Sequence, residues 1–376
     1  MRKNTKPVLL PACQSGTFAG ATMKVVMVVQ DSLPNRCVGA DTTPELWRLI
    51  NNGGGWCRAG GCSVLASSTY PNHASFVTGA DVQQHRIFTN KIWNGREFVC
   101  ASTTGPAIET IFDVVNAGGL STAAVLGDFT MVGVTGAQRA GAHWPVSAQH
   151  PPNMAKDSLG YAANAAVVEQ VDKLDALQAD LCVIHINEPD SALHVWGPGT
   201  TEVREQILRC DQTLADIVER LQPHWHDTVL LVVSDHEQEA VDQNQPELYS
   251  QQLLDNAGLS GYCHDEGAVA LVVNGEGATS VRELPQIDGA IDLDKDVCLM
   301  WSQPGRVFGQ GKKNRLGQHG SPRTMTQVAT VAGGHPLVAG IACSLNQPHI
   351  SGMQWAPTIA RCFDLCMPHA TGRALI

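Results

Sequence analysis

The sequence predicts an α/β protein, a three-layer α/β/α sandwich with a mostly parallel central sheet and a small insertion subdomain. Two observations lead to this prediction. Short apolar runs, continuous rather than alternating with polar residues, recur along the chain and are separated by longer helical patterns. Such strands are typical of a parallel sheet covered by helices on both faces. The length of 376 residues allows one large domain with an inserted part.

The first half of the chain contains the clearest elements. KVVMVV (24–29) predicts a strand, and TPELWRLINN predicts the helix after it, with Thr43 as the cap and Pro44 as the first helical residue. AIETIFDVVNAGG predicts another helix, and STAAVLG (121–127) predicts the strand that follows it. The stretch 132–153, which contains glycine, histidine and proline, predicts loops over one face.

Two more helix–strand units follow. AANAAVVEQVDKLDAL precedes the strand DLCVIHI (180–186), and EVREQILRCDQTLADIVERL precedes the strand TVLLVVS (228–234). In the last third, AVALVVN, DVCLMWS and TMTQVATVAG predict strands, and APTIARCF predicts a terminal helix. We therefore divide the chain into an N-terminal extension (1–23) and a single domain (24–376), with a small subdomain over about 237–320.

Charge and hydropathy exclude several functional classes. The formal net charge of −11 argues against a surface that coats nucleic acid or docks on anionic lipid. No apolar run approaches the length of a membrane span. The apolar part of the N-terminus (7–12), which overlaps an LPAC stretch (10–13), is too short for a signal peptide, so we expect a cytoplasmic protein. No pattern in the sequence indicates an oligomeric state.

Carboxylate and imidazole side chains follow the predicted strands at the points where these strands end. Because ligands bind at the carboxyl edge of an open parallel sheet, we expect these side chains to meet there. The set is Asp31, Asp190, His194, Asp235, His236 and His319. A mixed Asp/His set suits Zn²⁺, with Mn²⁺ or Fe also compatible. Six ligands are too many for one tetrahedral zinc but fit two metal ions roughly 4 Å apart, each with an open position.

The stretch LASSTYPNHASFVTG (65–79) places Thr69 between an apolar run and a helix that we expect to begin at Pro71. It is either a plain turn or a nucleophile held at a helix N-terminus. The amides of such a terminus can face an anionic oxygen, and a metal ion lowers the pKa of a threonine hydroxyl enough to activate it. The metal-ligand pattern favours the nucleophile.

STYPNHASFVTG, NEPDSALHVWGP, VVSDH and GQHG resemble motifs of the alkaline phosphatase superfamily, in particular its nucleotide pyrophosphatase/phosphodiesterase branch, the type I phosphodiesterases. The resemblance covers roughly residues 24–320. It implies an alkaline-phosphatase-like catalytic domain over 24–376 that hydrolyses phosphodiester or pyrophosphate bonds of a small, nucleotide-like phosphate ester. It also implies two zinc ions and a covalent phospho-threonine intermediate.

The resemblance assigns a role to each matching position. Thr69 corresponds to the nucleophile, whose oxygen also binds a metal, and Asn90 to a hydrogen-bond donor for a phosphoryl oxygen. One zinc would be bound by Asp31, Asp235 and His236. The other would be bound by Asp190, His194 and His319.

Three positions depart from the family pattern or extend it. Glu237 stands where the family usually has glycine, and is either an additional carboxylate beside the metals or a solvated surface residue. Arg86, in HRI, replaces the common HGI, so the turn before Asn90 is open to change. We expect His73 to be a helix-packing or capping residue rather than a ligand.

Related activities are less consistent with the sequence. Phosphonoacetate hydrolases use lysines after the third core strand, where AAVLGDFTMVGVTG has none. Monoesterases bind the additional phosphate charge with arginine or further metals, for which Arg96 and Arg139 are candidates. An inactive relative would lack a competent residue at some motif position, and none is lacking here. Five aromatic residues are candidates for stacking on a base: Tyr70, Phe88, Trp93, Trp144 and Trp196.

Overall fold

The computed structural model describes residues 23–147, 149 and 151–376. The predicted N-terminal extension, except its last residue, and the LPAC stretch lie outside these residues. The division into extension, domain and subdomain stays a prediction.

The structure has strands β1 (Lys24–Gln30), β2 (Gly55–Trp56), β3 (Gly61–Cys62), β4 (Lys91–Trp93), β5 (Phe98–Cys100), β6 (Thr122–Leu126), β7 (Ala142–Trp144), β8 (Leu181–Ile186), β9 (Thr228–Val233), β10 (Glu239–Ala240), β11 (Tyr262–Glu266), β12 (Val269–Val273), β13 (Ile287–Asp294), β14 (Val297–Ser302), β15 (Gly317–Gln318), β16 (Thr326–Gln327) and β17 (Ala329–Ala332).

The α-helices are α1 (Pro44–Asn51), α2 (Thr69–Thr78), α3 (Val82–His85), α4 (Ile111–Ala117), α5 (Met131–Thr135), α6 (Asn164–Lys173), α7 (Asp190–Trp196), α8 (Thr201–Leu221), α9 (Ser250–Ala257), α10 (Ala278–Val281), α11 (Leu337–Ser344) and α12 (Trp355–Cys362).

The central sheet has the strand order β2-β17-β9-β1-β8-β6-β7. The five strands β9, β1, β8, β6 and β7 are parallel, whereas β17 runs antiparallel to β9 and β2 antiparallel to β17. In the register of the middle strands, Val26 lies opposite Cys182 on one side and Leu230 on the other. The prediction of a mostly parallel sheet is therefore confirmed.

Both faces of this sheet are covered by helices. All seven residues of β1 are buried, and alternate side chains enter different cores because successive residues of a strand point to opposite faces. Val25 and Met27 belong to the core that contains side chains of α2, α4, α11 and α12. Val26 and Val28 belong to the core that contains side chains of α1, α6 and α8. The three-layer prediction is confirmed.

Two local predictions differ from the structure. Within the stretch 132–153, predicted as loops, the three residues of β7 pair in parallel with β6 and extend the sheet. A strand of this length shows no detectable periodicity in the sequence. The catalytic-motif helix α2 begins at Thr69 rather than at Pro71, so Thr69 itself is the first helical residue.

A second, antiparallel sheet has the order β11-β12-β14-β13 and lies within the stretch 237–320. One of its faces packs with α9, α10 and Phe308. Its other face packs against Ala66 before α2, Val82 at the start of α3 and Phe88 after α3. This sheet therefore forms one wall beside the N-terminus of α2. Within the residues that the structure describes, no helix has both the length and the apolar character needed to cross a membrane.

Candidate active site

The carboxyl ends of three adjacent strands bring the predicted carboxylates together. Asp31 directly follows β1, Asp235 comes two residues after β9, and Asp190 is the first residue of α7 after β8. Their exposed fractions are 1%, 0% and 7%, and the three predicted histidine ligands are buried as well. Because the strand order places β1 between β8 and β9, the side chains converge on one point of the sheet edge.

Asp31, Asp235 and His236 form a group whose ligand atoms lie within 4.8 Å of one another and which could hold a metal ion. His236 Nε2 lies 3.3 Å from Asp235 Oδ2 and 3.7 Å from Asp31 Oδ1. The Thr69 hydroxyl is 3.3 Å from the same nitrogen. The structure thus places the four residues predicted for the first metal side by side.

Hydrogen bonds leave one oxygen of each of the two carboxylates without a protein partner. His236 Nδ1 lies 3.0 Å from Ser32 Oγ and 3.2 Å from the carbonyl oxygen of Glu237, so its proton belongs on Nδ1, and the lone pair of Nε2 faces the Thr69 hydroxyl at 3.3 Å. Asp235 Oδ1 accepts from the amides of Ser32 and His236. Asp235 Oδ2 and Asp31 Oδ1, both buried, have no hydrogen-bond partner among the described residues. Buried carboxylate oxygens without a hydrogen-bond partner are suited to bind a cation.

The residues predicted for the second metal also lie close together, but the three whose ligand atoms are nearest to one another differ from the predicted three. His194 follows Asp190 by one turn of α7, with Nε2 3.5 Å from Asp190 Oδ2, and its Nδ1 donates to the carbonyl of Gly317 at 2.7 Å. His319 Nε2 is 3.9 Å from Asp190 Oδ1. The group within 4.8 Å is Asp190, His236 and His319, because the His236 and His319 rings stack at 4.0 Å. His194 lies at the edge of this group, and His236 joins the two halves.

Burial shifts the pKa values of the ionisable side chains in the cluster. It raises the pKa of Asp31 well above the usual range, and the neighbouring Asp235 and Asp190 carboxylates raise it further. It also raises the pKa of Asp235. Burial lowers the pKa of His194 to about 4, and lowers the pKa of His319 well below its usual value. Neutral imidazoles are the form in which histidine binds a metal ion, whereas the raised pKa values of Asp31 and Asp235 mean that their charged forms are unfavourable here unless a cation lies beside them.

Two residues that sequence reasoning missed orient the carboxylates. His185 Nε2 donates to Asp31 Oδ2 at 3.1 Å, which leaves Oδ1 open. Gln238 Nε2 donates to Asp190 Oδ1 at 2.6 Å and to the Asp190 carbonyl at 3.1 Å. His185 was hidden inside the apolar run LCVIHI. Gln238 follows the SDH motif by two residues, which was the available signal.

Thr69 and Asn90 lie together at the N-terminus of α2. The amide of Tyr70 donates to Asn90 Oδ1 at 3.0 Å, so the Nδ2 group of Asn90 stays available as a donor. The amide of Asn90 donates to Glu266 Oε2 at 2.9 Å, which anchors Asn90 to the second sheet. Because the Tyr70 amide is engaged and Pro71 has none, neither position offers a free amide at this helix end, whereas these contacts leave Asn90 Nδ2 available as a donor.

The departures from the family pattern have structural roles. Glu237 accepts from the amide of Asn35 at 2.9 Å and pairs with Arg36 at 2.5 Å, so it fastens the loop after β1 and is neither a metal-facing nor a freely solvated carboxylate. Arg86 adopts a left-handed φ of 67°, the conformation that glycine favours, so the turn is retained. His73 donates to the carbonyl of Thr69 at 2.8 Å and is 2% exposed, but it also belongs with Asp31 and His185 to a buried group whose ligand atoms lie within 4.8 Å of one another, so its packing role stays a prediction.

The five aromatic residues predicted as candidates for stacking on a base differ in their exposure. Phe88 and Trp144 are each 6% exposed, and the Tyr70 hydroxyl donates to Asp128 at 2.9 Å, so these three are packing residues. Trp93 stacks on Tyr262 at 4.7 Å. Trp196, at the end of α7, is 38% exposed and lines a cavity of about 640 Å³. It is the candidate whose ring is most accessible to a substrate.

The structure also changes the view of nearby cations. Arg139 pairs with Asp113 at 2.6 Å and is therefore engaged elsewhere, and no contact places the exposed Arg96 at the metal-ligand cluster. The segment GKKNRLG, which carries Lys312 and Arg315, reaches the site at its end, because the amide of Leu316 donates to the carbonyl of His194 at 2.7 Å. The signal for this segment was its position only a few residues before His319.

Comparisons with known proteins identify relatives of this chain in sequence and in structure. Venom phosphodiesterases of Macrovipera lebetinus and Crotalus durissus collilineatus are 25% identical over 199 residues and 26% identical over 214 residues. These matches cover 49% and 53% of this chain but 22% and 24% of the venom proteins, so the chain matches less than a quarter of their length.

Solved structures of murine and human ectonucleotide pyrophosphatase/phosphodiesterase 5 share the fold. Both have a TM-score of 0.69, at 16% and 15% identity, and the matches cover 91% and 93% of this chain and 95% and 97% of theirs. An inactive variant of the murine protein in complex with AMP has a TM-score of 0.68. The family model described as type I phosphodiesterase/nucleotide pyrophosphatase matches residues 25–297. Since this match covers more than half of the chain, the chain belongs to the type I phosphodiesterase/nucleotide pyrophosphatase family of the alkaline phosphatase superfamily.

Proposed function

We propose that this protein is a metal-dependent hydrolase that cleaves phosphodiester or pyrophosphate bonds of small, nucleotide-like phosphate esters through a covalent phospho-threonine at Thr69. The observation that carries this proposal is the position of the Thr69 hydroxyl, 3.3 Å from His236 Nε2 in a buried Asp/His cluster. The AMP complex of the murine relative supports a nucleotide-like substrate.

Two divalent cations would complete the site, and zinc suits the donor set best, with manganese or iron also compatible. Asp31, Asp235, His236 and the Thr69 oxygen would hold one ion. Asp190, His194 and His319 would hold the other. The unpartnered oxygens Asp31 Oδ1 and Asp235 Oδ2 support this assignment. When bound, such ions lower the pKa of a hydroxyl or water ligand and neutralise phosphoryl charge.

Side chains of this protein would supply the nucleophile and orient the phosphoryl group. Thr69 Oγ1 would attack phosphorus from the first turn of α2, where its backbone carbonyl is held by His73. Asn90 Nδ2 would donate to a phosphoryl oxygen, because its Oδ1 is occupied by the Tyr70 amide. The anchor of Asn90 on Glu266 keeps this donor in place and needs no reorganisation during the reaction.

A direct test of the proposed function compares two chromogenic substrates. We expect the metal-loaded protein to hydrolyse a p-nitrophenyl phosphodiester with a higher kcat/KM than p-nitrophenyl phosphate. A diester carries one negative charge and a monoester about two at neutral pH, and the cluster already contains three buried carboxylates. A monoester faster by more than about tenfold, roughly 1.4 kcal/mol in the transition state, would contradict the diester assignment.

A second expected result concerns Gln238. Gln238→Met keeps the side-chain volume but removes the hydrogen bond to Asp190 Oδ1, so Asp190 loses its orientation. We expect the affinity for the metal ion on the Asp190 side to fall about 10- to 100-fold, as is common for residues behind metal ligands. Competition with a chromogenic chelator measures this. Gln347→Met, at an exposed position whose side chain forms no hydrogen bond among the described residues, is the matched control. If both variants bound the two metal ions with the same affinities, Gln238 would not position Asp190.

A further inference from the structure

Glu266, the last residue of β11, is a buried carboxylate beside the predicted phosphoryl-oxygen donor Asn90, and it is not one of the predicted metal ligands. Its exposed fraction is 8%. Both of its carboxylate oxygens accept from the backbone amide of Asn90, Oε2 at 2.9 Å and Oε1 at 3.2 Å. Glu266 therefore fixes Asn90 to the second sheet, and its charge is fixed next to Asn90 as well.

The residues that follow Glu266 contact the metal-ligand side of the site. The amide of Ala268 donates to the carbonyl of His319 at 3.3 Å. A Cβ added to Gly267 would lie 3.6 Å from the same carbonyl oxygen, so the two segments run in close contact. The turn EGAV (266–269) thus lies between Asn90 and His319, and Glu266 is its one ionisable side chain.

The asparagine sets the distance from this carboxylate to a bound phosphoryl group. Asn90 Oδ1 accepts from the amide of Tyr70 at 3.0 Å, so Nδ2 is the group that would donate to a phosphoryl oxygen. Two hydrogen bonds and the length of one asparagine place the Glu266 carboxylate within about 10 Å of that oxygen. Salt screens buried charges at such a separation much less than it screens charges on the surface.

The charge of Glu266 is not cancelled by a permanent cation at its side. Among the described residues, the group within ion-pair distance is His264, whose Nε2 lies 3.5 Å from Glu266 Oε2 and which is charged only when protonated. Lys312 interacts with Glu266 at longer range. The three carboxylates predicted as metal ligands would, in contrast, each bind a cation directly.

A count of charges shows which substrates this carboxylate favours. Two divalent cations carry four positive charges, and the three predicted metal-binding carboxylates balance three of them. One positive charge remains, and the nearby carboxylate of Glu266 offsets it. A phosphodiester brings one negative charge into this site. A monoester brings about two at neutral pH, so the same carboxylate repels it more strongly.

We propose that Glu266 is a specificity-determining residue, whose negative charge favours phosphoryl groups with a single negative charge over the dianions of monoesters. This inference rests on the proposed function and names the side chain that would produce its diester preference. Glu266 acts through its charge and through Asn90, and it does not touch the substrate. Its hydrogen bonds to Asn90 would affect all phosphate esters alike, whereas its charge distinguishes between them.

The test compares two substrates with the same leaving group, p-nitrophenyl phosphate and its methyl ester, at about pH 8, where an ordinary histidine is neutral. Glu266→Gln removes the charge but keeps an oxygen that can accept from the Asn90 amide. We expect it to raise kcat/KM for the monoester, relative to kcat/KM for the methyl ester, about 10-fold. Glu283→Gln removes the same charge from an exposed position and is the matched control, which should leave the ratio unchanged.

Two further variants separate the charge of Glu266 from its position. Glu266→Asp keeps the charge but shortens the side chain, so we expect both activities to fall and their ratio to stay within about twofold of the original. His264→Lys places a permanent positive charge beside Glu266 and leaves the hydrogen bonds to Asn90 intact. It should shift the ratio in the same direction as Glu266→Gln, and it decides the question if Glu266→Gln does not fold.

An equilibrium measurement separates this inference from the proposed function. In zinc-loaded Thr69→Ala protein, calorimetric titration gives the Kd of AMP, a dianion, and the Kd of its monoanionic methyl ester. Adding Glu266→Gln should lower the Kd of AMP about 10-fold relative to the Kd of the methyl ester, whether or not any ester is hydrolysed.

The outcomes of these experiments are distinct. Failure of the unchanged protein to hydrolyse either nitrophenyl ester would refute the proposed function, and the titration would still decide the role of Glu266. Ratios that stay the same in Glu266→Gln and His264→Lys, an equal shift in Glu283→Gln, or no binding of either ligand would overturn the role of Glu266.

Discussion

Thr69→Ala is expected to abolish turnover while the protein retains its metal ions. The only side-chain hydrogen bond of Thr69 among the described residues is the 3.3 Å contact with His236 Nε2, so the substitution removes the hydroxyl without unseating a core residue. Without this oxygen no phospho-threonine forms, and water would have to attack the ester directly. We expect kcat/KM for a p-nitrophenyl diester to fall by at least about 10³-fold, as is typical when a nucleophile is deleted.

Three measurements make this result specific. Elemental analysis should find the same metal content in Thr69→Ala as in the unchanged protein, because each ion would keep three other ligands. Thr69→Ser, which retains a hydroxyl, should keep measurable activity. Acid quenching during turnover followed by peptide mass spectrometry should locate the phosphate on Thr69. A phosphorylated residue elsewhere, or an alanine variant with more than about a tenth of the original activity, would refute the assignment.

Removal of the metal ions is expected to have an effect of similar size. The buried oxygens Asp31 Oδ1 and Asp235 Oδ2 have no hydrogen-bond partner among the residues described, so without a cation two carboxylates face each other in a medium of low dielectric. We expect a strong chelator to abolish diester hydrolysis and zinc to restore it, with two zinc ions per chain. Well under one ion per chain after reconstitution would contradict the two-metal site.

Thermal unfolding provides a readout of metal binding that does not depend on activity. A ligand that binds only the folded state stabilises it by about 2.7 kcal/mol at a free concentration of one hundred times Kd. The Tm should therefore fall on chelation and rise with zinc. Asp235→Asn retains the shape of the side chain but removes its negative charge, so it should show a smaller zinc-dependent rise in Tm. A Tm that does not respond to zinc would indicate that the Asp/His cluster is structural.

Much of the fold could be predicted from local patterns because apolar periodicity is strong where a strand or helix is buried. KVVMVV and TVLLVVS became β1 and β9, and EVREQILRCDQTLADIVERL became α8, with boundaries within two residues. The weakest predictions concerned short elements. The three residues of β7 form a strand because they pair with β6. The residues around β7 do not reveal this partner, so the strand could not be predicted from the local sequence.

The candidate residues could be predicted because polar side chains that directly follow buried parallel strands lie at the edge of the sheet where ligands bind. What could not be predicted is how each side chain is oriented. Gln238 contacts Asp190 across 48 positions of sequence, and His185 contacts Asp31 across 154. Such contacts depend on strand order, and nothing in the residues near Gln238 or His185 indicates their partners.

The sequence by itself determined the α/β class, the parallel strands and the candidate side chains for metal binding and phosphoryl transfer, because these depend on local periodicity and residue chemistry. Only the tertiary structure decided that His236 links the two halves of the cluster, that Glu237 pairs with Arg36, and that His185 and Gln238 contact Asp31 and Asp190. The physical reason is distance: electrostatic and hydrogen-bond energies act over a few ångströms in space, and the separation of residues along the chain does not reveal these distances.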